Sequence, residues 1–466
     1  MTITSWSFIA FVAMAALVSN LASGNWRARV LFPTTTLLFI VLVMPSMLAV
    51  SALLGFVGLI WLATELTYRL RARTPLILIL AVILAIFGWM KAYEFLAFLP
   101  FASQVPVVIG LSYILIRALQ LLIDMAETPS LRPGLLPLFS FLTSWPCLIS
   151  GPIQRFQDFH EQLESIGTFK LSEEVFVAAA HRMAKGYFMV LVLADMFKHL
   201  WTGLEGIALG NANPLALAGA QGAFLAHLFF DFAGYTHIVI GAAYVFGFRL
   251  PENFDRPWQS KSFLEFWGRW HMTMSNWFKT YVFNSLLMQL VKRWPSSKLT
   301  SFHGVAAFFL TFFLVGLWHG TTWAYVICGL LLGVGASANQ LYRIALRSWL
   351  GKSRMHELSA KQTYILASAA LTFTYICFSV SPLWLSYEQI RLVAKSYGLI
   401  GLILAQGGLF LMMLTVLPII QRSSFAIPIS GATWWRPLQI GLLCAVIDAY
   451  TFLFPAFGGA FFYERF

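Results

Sequence analysis

Residues 308–335 read FFLTFFLVGLWHGTTWAYVICGLLLGVG, two apolar stretches joined through Gly316-Leu317-Trp318-His319-Gly320-Thr321-Thr322-Trp323. The stretches belong to apolar segments at about 303–318 and 322–345. A helix needs about 20 such residues to cross the hydrocarbon core of a bilayer, so the pair reads as membrane spans. His319 sits between them. A histidine at that depth is costly to place and titrates near neutral pH, which makes it a functional candidate. A second polar knot lies upstream in similarly apolar sequence: Glu265-Phe266-Trp267-Gly268-Arg269-Trp270-His271.

The rest of the chain follows the same pattern. Of 466 residues, 59% are hydrophobic and 11% charged, with a mean hydropathy of +0.75. Soluble chains carry about 25% charged residues, so this is an integral membrane protein. The apolar segments lack the alternation of a barrel, which leaves an all-α polytopic bundle. The stretch Trp6 to Leu21 lacks a basic start and is followed at once by further spans. It reads as a retained first helix rather than a signal peptide. The net charge of +12 gathers in short loops, as the positive-inside rule requires. It therefore points to a lipid bilayer and not to nucleic acid. Cys147, Cys328, Cys377 and Cys444 are scattered through apolar sequence, without metal-like spacing or a disulfide framework.

About eleven to thirteen spanning or re-entrant helices are expected at ~20 residues each. The clearer ones fall near 5–22, 30–46, 48–66, 75–98, 104–125, 175–200, 218–248, 303–318, 322–345, 362–385, 397–420 and 437–457. Two apolar regions are broken by prolines and polar residues, from Pro137 to Pro152 and from Pro251 to Pro295. Irregular backbone survives at membrane depth only where protein or a water-filled cavity covers it. A membrane enzyme would place its site there. Basic loops at Arg27 and Arg29, at Arg69, Arg71 and Arg73, at Arg343, Arg347, Lys352 and Arg354, and at Arg422 face the cytoplasm by the same rule. Counting spans from them places both termini outside. No repeat or linker divides the chain, so residues 1–457 read as one membrane domain, followed by a tail, 458–466.

Two histidines within Trp, Gly and Arg clusters suit acyl transfer from a thioester to a hydroxyl. That reaction needs a base for the hydroxyl proton and donors for the oxyanion. His319, beside Trp318 and Gly320, fits the base; His271, beside Trp270 and Arg269, fits a positioning or oxyanion role. Each could instead be a satisfied interhelical hydrogen bonder. A transporter or flippase with a histidine proton relay would show inverted repeats and paired broken helices, which are not evident. A non-catalytic scaffold of an envelope assembly complex would tolerate loss of both histidines. His227 and Asp231 stand at i, i+4 with no evident third ligand; a structural polar pair is the better account and no metal is required. Gly329 and Gly333 form a Gly-x-x-x-Gly suited to close helix packing. His160, His181, His199 and His356 lie near segment ends and read as interfacial.

Four motifs over about 140–390 resemble the membrane-bound O-acyltransferases, in the bacterial branch of the alginate O-acetylation and teichoic-acid D-alanine transfer proteins. The first is Ser144-Trp145-Pro146-Cys147-Leu148-Ile149-Ser150-Gly151-Pro152-Ile153-Gln154-Arg155-Phe156. The second runs Asp231-Phe232-Ala233-Gly234-Tyr235 and continues at Phe248-Arg249-Leu250-Pro251-Glu252-Asn253-Phe254. The third is Glu265-Phe266-Trp267-Gly268-Arg269-Trp270-His271-Met272-Thr273-Met274-Ser275-Asn276-Trp277-Phe278-Lys279, and the fourth Gly316-Leu317-Trp318-His319-Gly320. Thr236-His237, Gly268 and Lys279-Thr280 depart from the usual residues, which blurs the choice of acyl group. The third motif looks closer to the D-alanine branch.

The resemblance implies a ring of helices around a thinned core with a tunnel linking the two faces. His319 would be the essential histidine and His271 the second. Trp318, Trp270, Arg269, Asn276, Ser275 and Asp231 would line the tunnel or position substrate. It further implies a cytoplasmic thioester donor, acetyl-coenzyme A or an acyl carrier protein, with no bound cofactor. The acceptor would be a cell-surface polymer outside the cytoplasmic (inner) membrane, reached through an extracytoplasmic second acyltransferase of SGNH-hydrolase type. The chain ends Phe461-Phe462-Tyr463-Glu464-Arg465-Phe466. Composition alone makes this an interfacial aromatic anchor, whereas the resemblance makes Tyr463 a candidate acyl carrier.

Overall fold

The computed structural model describes residues 1–22, 24–97, 106–296, 299–422 and 435–454. The described residues form helices joined by turns and irregular segments, with no strand among them, and nine of the helices are long and apolar enough to cross a membrane. The chain is a multi-pass membrane protein. Two expected spans are shorter than anticipated. The one near 30–46 is a 12-residue helix, Phe32–Val43, entered through a π turn at Arg27–Leu31. The one near 104–125 is Leu111–Glu127, of 17 residues. Others are longer: Trp323–Ala360 runs through its basic end with a break at Gly351, and Tyr387–Arg422 with a break at Gly398. Tyr463 and the rest of the tail lie outside the described residues.

The fold divides into two compact units interleaved in sequence. Counting only the described residues, the first takes those of 1–193, 230–251 and 431–466; the second, those of 194–229 and 252–430. In the first, Arg73–Lys91 turns Ile77, Leu78 and Val82 outward, as a lipid-facing helix must. Gly186 and Gly234 let the helix Glu173–Phe188 meet Pro214–Tyr244 backbone to backbone. A Cβ on Gly186 would lie 2.6 Å from the Gly234 carbonyl oxygen. Small residues replace greasy ones at such crossings because lipid removes the hydrophobic drive and leaves close packing.

The broken region 137–152 is built in this unit. The helix Leu135–Leu142 stops early, a short 3-10 turn follows at Trp145–Cys147, and the chain then runs irregularly to Phe156. Freed carbonyls need donors here, and Arg117 provides them. Fully buried on the helix Leu111–Glu127, it donates to the carbonyls of Phe141 at 3.1 Å, Leu142 at 3.2 Å and Cys147 at 2.8 Å. The Tyr235 hydroxyl accepts from the Ser150 N–H at 3.0 Å and donates to the Gly151 carbonyl at 3.2 Å. The first and second sequence motifs therefore meet through one phenol.

Arg27, expected in a basic loop, begins the π turn Arg27–Leu31. It is buried, and its guanidinium is bound by the carbonyls of Ala22, Ile166 and Phe169. Replacing Arg117 by Met should leave three carbonyls without donors and lower stability by about 3 kcal/mol or more. Arg117→Lys should restore little, because a single ammonium lacks the planar fork. Thermal unfolding of the purified protein in detergent measures both; a Met variant as stable as the parent would refute the clamp.

Candidate active site

The second unit holds both polar knots. The region after Pro251 cannot form one helix, because Pro257 removes a donor and Gly268 weakens continuity. It breaks into Phe263–Trp267, Met272–Phe278, a π turn at Lys279–Phe283, and Asn284–Arg293. Ser262 caps the first of these, accepting from the Glu265 N–H at 3.3 Å. His271 starts the second. Its backbone is left-handed (φ 45°, ψ 50°) and its side chain is completely buried. A non-glycine residue in that conformation carries roughly 1–3 kcal/mol of strain and persists only where its surroundings enforce it.

Asn253 does the enforcing. Also wholly buried, it offers its carbonyl to the Met272 N–H at 2.8 Å. Its side-chain oxygen accepts from the Thr273 hydroxyl at 2.6 Å and the Thr273 N–H at 3.3 Å. Arg269 closes the other side of the turn. It reaches Asp255 at 3.0 Å and Glu265 at 3.4 Å, while the Asp255 N–H returns a bond to the Arg269 carbonyl at 3.0 Å. Trp270 is buried, stacked on Phe266 (centroids 5.3 Å apart, 19°) and edge-on to Phe254 (5.2 Å, 90°).

The second knot ends a helix. Thr300–His319 finishes on His319, the backbone is extended at Gly320, and Trp323–Ala360 begins after Thr322. Tight crossing of these two helices depends on glycines. A Cβ on Gly329 would lie 2.6 Å from the Phe313 carbonyl oxygen, and one on Gly333 would lie 2.8 Å from that of Phe309. The expected close packing at Gly329 and Gly333 is present. A Cβ on Gly320 would fall inside the Tyr325 ring, so that ring fixes the backbone immediately after His319.

Trp318 brings the knots together. Its ring lies 6.4 Å from the His271 imidazole, 4.9 Å from that of His319 and 6.4 Å from Phe278. His319 is 7% exposed and His271 wholly covered. Two imidazoles flanking an indole, walled by aromatic rings, form a low-dielectric site in which a neutral imidazole can act as base.

A profile of the membrane-bound O-acyltransferases matches residues 30–381, which include every one of these side chains. The chain belongs to the membrane-bound O-acyltransferase family. Among its relatives, a teichoic acid D-alanyltransferase of Streptococcus thermophilus is 31% identical over 53% of this chain and 58% of its own length. One of Bacillus subtilis is 30% identical over 58% of this chain and 67% of its own length. A probable alginate O-acetylase AlgI of Azotobacter vinelandii is 32% identical over 51% of this chain and 45% of its own length. The chain thus spans about half to two-thirds of the length of the relatives it matches.

Within this chain the expected site residues take different places. His271, His319, Trp318 and Trp270 form the cluster. Arg269 is committed to two carboxylates and shapes the turn. Ser275 is half-buried and donates to the Trp270 carbonyl at 3.2 Å, whereas Asn276 is exposed. Asp231 is buried on Pro214–Tyr244, in the part grouped with the first unit. His227 holds the Ala194 carbonyl through Nδ1 at 2.9 Å and stacks on Trp201 (5.5 Å, 28°). Among the described residues, no group of three His, Cys, Asp or Glu side chains could hold a metal. Asn253 and Tyr325 were not singled out from sequence. Asn253 had a signal, a polar residue between Pro251 and Phe254 in a quoted motif; a half-buried tyrosine against a glycine has none.

Asn253→Ala should remove both side-chain bonds to Thr273 and raise amide exchange at Met272 and Thr273 about tenfold, at roughly 1.4 kcal/mol of lost protection. Hydrogen–deuterium exchange with mass spectrometry measures this. Unchanged exchange there would remove Asn253 from the account of the turn.

Proposed function

We propose that this protein moves a short acyl group, acetyl or D-alanyl, from a cytoplasmic thioester to a hydroxyl on the outer side of the membrane. His319 is the general base. It takes the hydroxyl proton as the oxygen attacks the thioester carbonyl; the carbon–oxygen bond forms, the carbon–sulfur bond breaks, and the thiol leaves with a proton. His271 assists by positioning the reacting groups or stabilising the oxyanion. The observation that carries this reading is the His271–Trp318–His319 cluster, buried within a chain of this family.

The donor in this reading is acetyl-coenzyme A or an acyl carrier protein, reaching the cluster through a tunnel between the faces. The protein sits in the cytoplasmic (inner) membrane with both termini outside. Tyr463 is the first acceptor, forming a tyrosyl ester, and an extracytoplasmic partner of SGNH-hydrolase type passes the group to a cell-surface polymer. The relatives' names support both acyl groups, D-alanyl for teichoic acid and acetyl for alginate.

His319→Ala should abolish polymer acylation, a loss of at least about a hundredfold, at unchanged protein level; mass spectrometry of the isolated polymer reads the acyl group and its amount together. Normal acylation in that variant would sink the proposal. Intact-mass analysis of the C-terminal peptide after exposure to donor should show the acyl adduct. Full activity in Tyr463→Phe would retire the carrier step and leave the histidine chemistry standing.

A further inference from the structure

The helix Trp323–Ala360 breaks at Gly351 (φ 73°, ψ 171°), a conformation close to glycine-only. Around the bend lies a cavity of about 470 Å³ lined by Gln340, Arg343, Ile344, Arg347, Lys352 and Met355. The first four recur at i, i+3, i+4 and i+7 and so share one helical face. Lys352 and Met355 come from beyond the bend. Three cations therefore converge with no carboxylate in the lining. Among the described residues, no acidic side chain pairs with any of them.

The depth of this cavity is set by its flanks. Leu330, Val334 and Leu341 are exposed along the preceding span, as lipid-facing residues are. Tyr342 is half exposed and Trp349 is 82% exposed, the amphipathic rings that collect where hydrocarbon gives way to headgroups. The positive-inside rule accounts for the sign of these charges, but it does not require them to line one cavity.

We propose that this cavity binds the phosphodiester of an anionic phospholipid. Arg343 and Arg347 present guanidinium forks to the phosphate oxygens, and Lys352 adds a point charge from across the bend. Ile344 and Met355 supply an apolar wall for the glycerol, continuous with the lipid-facing side of the span. A water-soluble phosphate needs neither that wall nor the aromatic border.

Native mass spectrometry of the detergent-purified full-length chain, titrated with phosphatidylglycerol or phosphatidylcholine, tests the assignment. Phosphatidylglycerol should be retained preferentially. Arg343→Gln, Arg347→Gln and Lys352→Gln should each weaken it about five-fold, the effect of one cation near an anionic lipid surface. Arg354→Gln, an exposed cation beyond the same bend but outside the lining, should change nothing. All four side chains are solvent-exposed, so the variants keep the parent's fold, which thermal unfolding verifies. Equal retention of both lipids would overturn the proposal. So would an Arg354→Gln loss equal to the others, which would reveal a diffuse positive surface. Displacement of the lipid by millimolar inorganic phosphate would show that the cavity reads a free phosphate, and the lipid assignment would fail.

Discussion

Hydrocarbon offers no hydrogen bonds, so every backbone group that leaves a helix inside a membrane must find a partner within the protein. In this chain the demand is concentrated in two broken regions and met by a few fully buried side chains. Arg117 gathers three carbonyls in the first unit, and Tyr235 ties Ser150 and Gly151 beside them. Asn253 does the corresponding work in the second unit, at the turn that carries His271. Without these groups the irregular backbone would be too costly to hold at depth.

The two imidazoles reach Trp318 by different routes. His319 is the end of a regular helix, aimed by glycine packing behind it and by the Tyr325 ring after it. His271 stands on a strained turn aimed by hydrogen bonds and an ion-pair fork. The two supports have different physics. Close glycine packing is insensitive to water, whereas the buried Asn253–Thr273 bonds gain from its exclusion, because water would compete for them.

Much of this was legible in the sequence, and the reasons differ by element. Long apolar runs gave the helices, since the bilayer leaves no other way to satisfy their backbone. His319 and His271 stood out because ionisable residues in apolar surroundings are rare and expensive. The ends of the spans were harder. At Phe32–Val43 a π turn shortens the regular helix, and at Trp323–Ala360 the helix outlasts its apolar stretch; hydropathy registers neither. Arg27 read as one more basic residue of a connecting stretch, because two of its three carbonyl partners, Ile166 and Phe169, lie more than a hundred residues away. Arg117 was invisible for the converse reason, a single cation inside a span whose partners lie on another segment. The convergence of Arg343, Arg347 and Lys352 needed a backbone bend that only Gly351 hinted at.

The left-handed backbone at His271 ties two properties to one position. The same residue supplies the ring and makes the corner, so a change of side chain alters the shape preference of the turn together with its chemistry. Glycine would fit the corner best and the β-branched residues worst, yet all of them lack the ring. Asparagine tolerates the corner and keeps a polar head. Evolution at this position is therefore confined to very few residues by geometry alone, and an invariant histidine here would be weaker evidence of chemistry than an invariant histidine at 319.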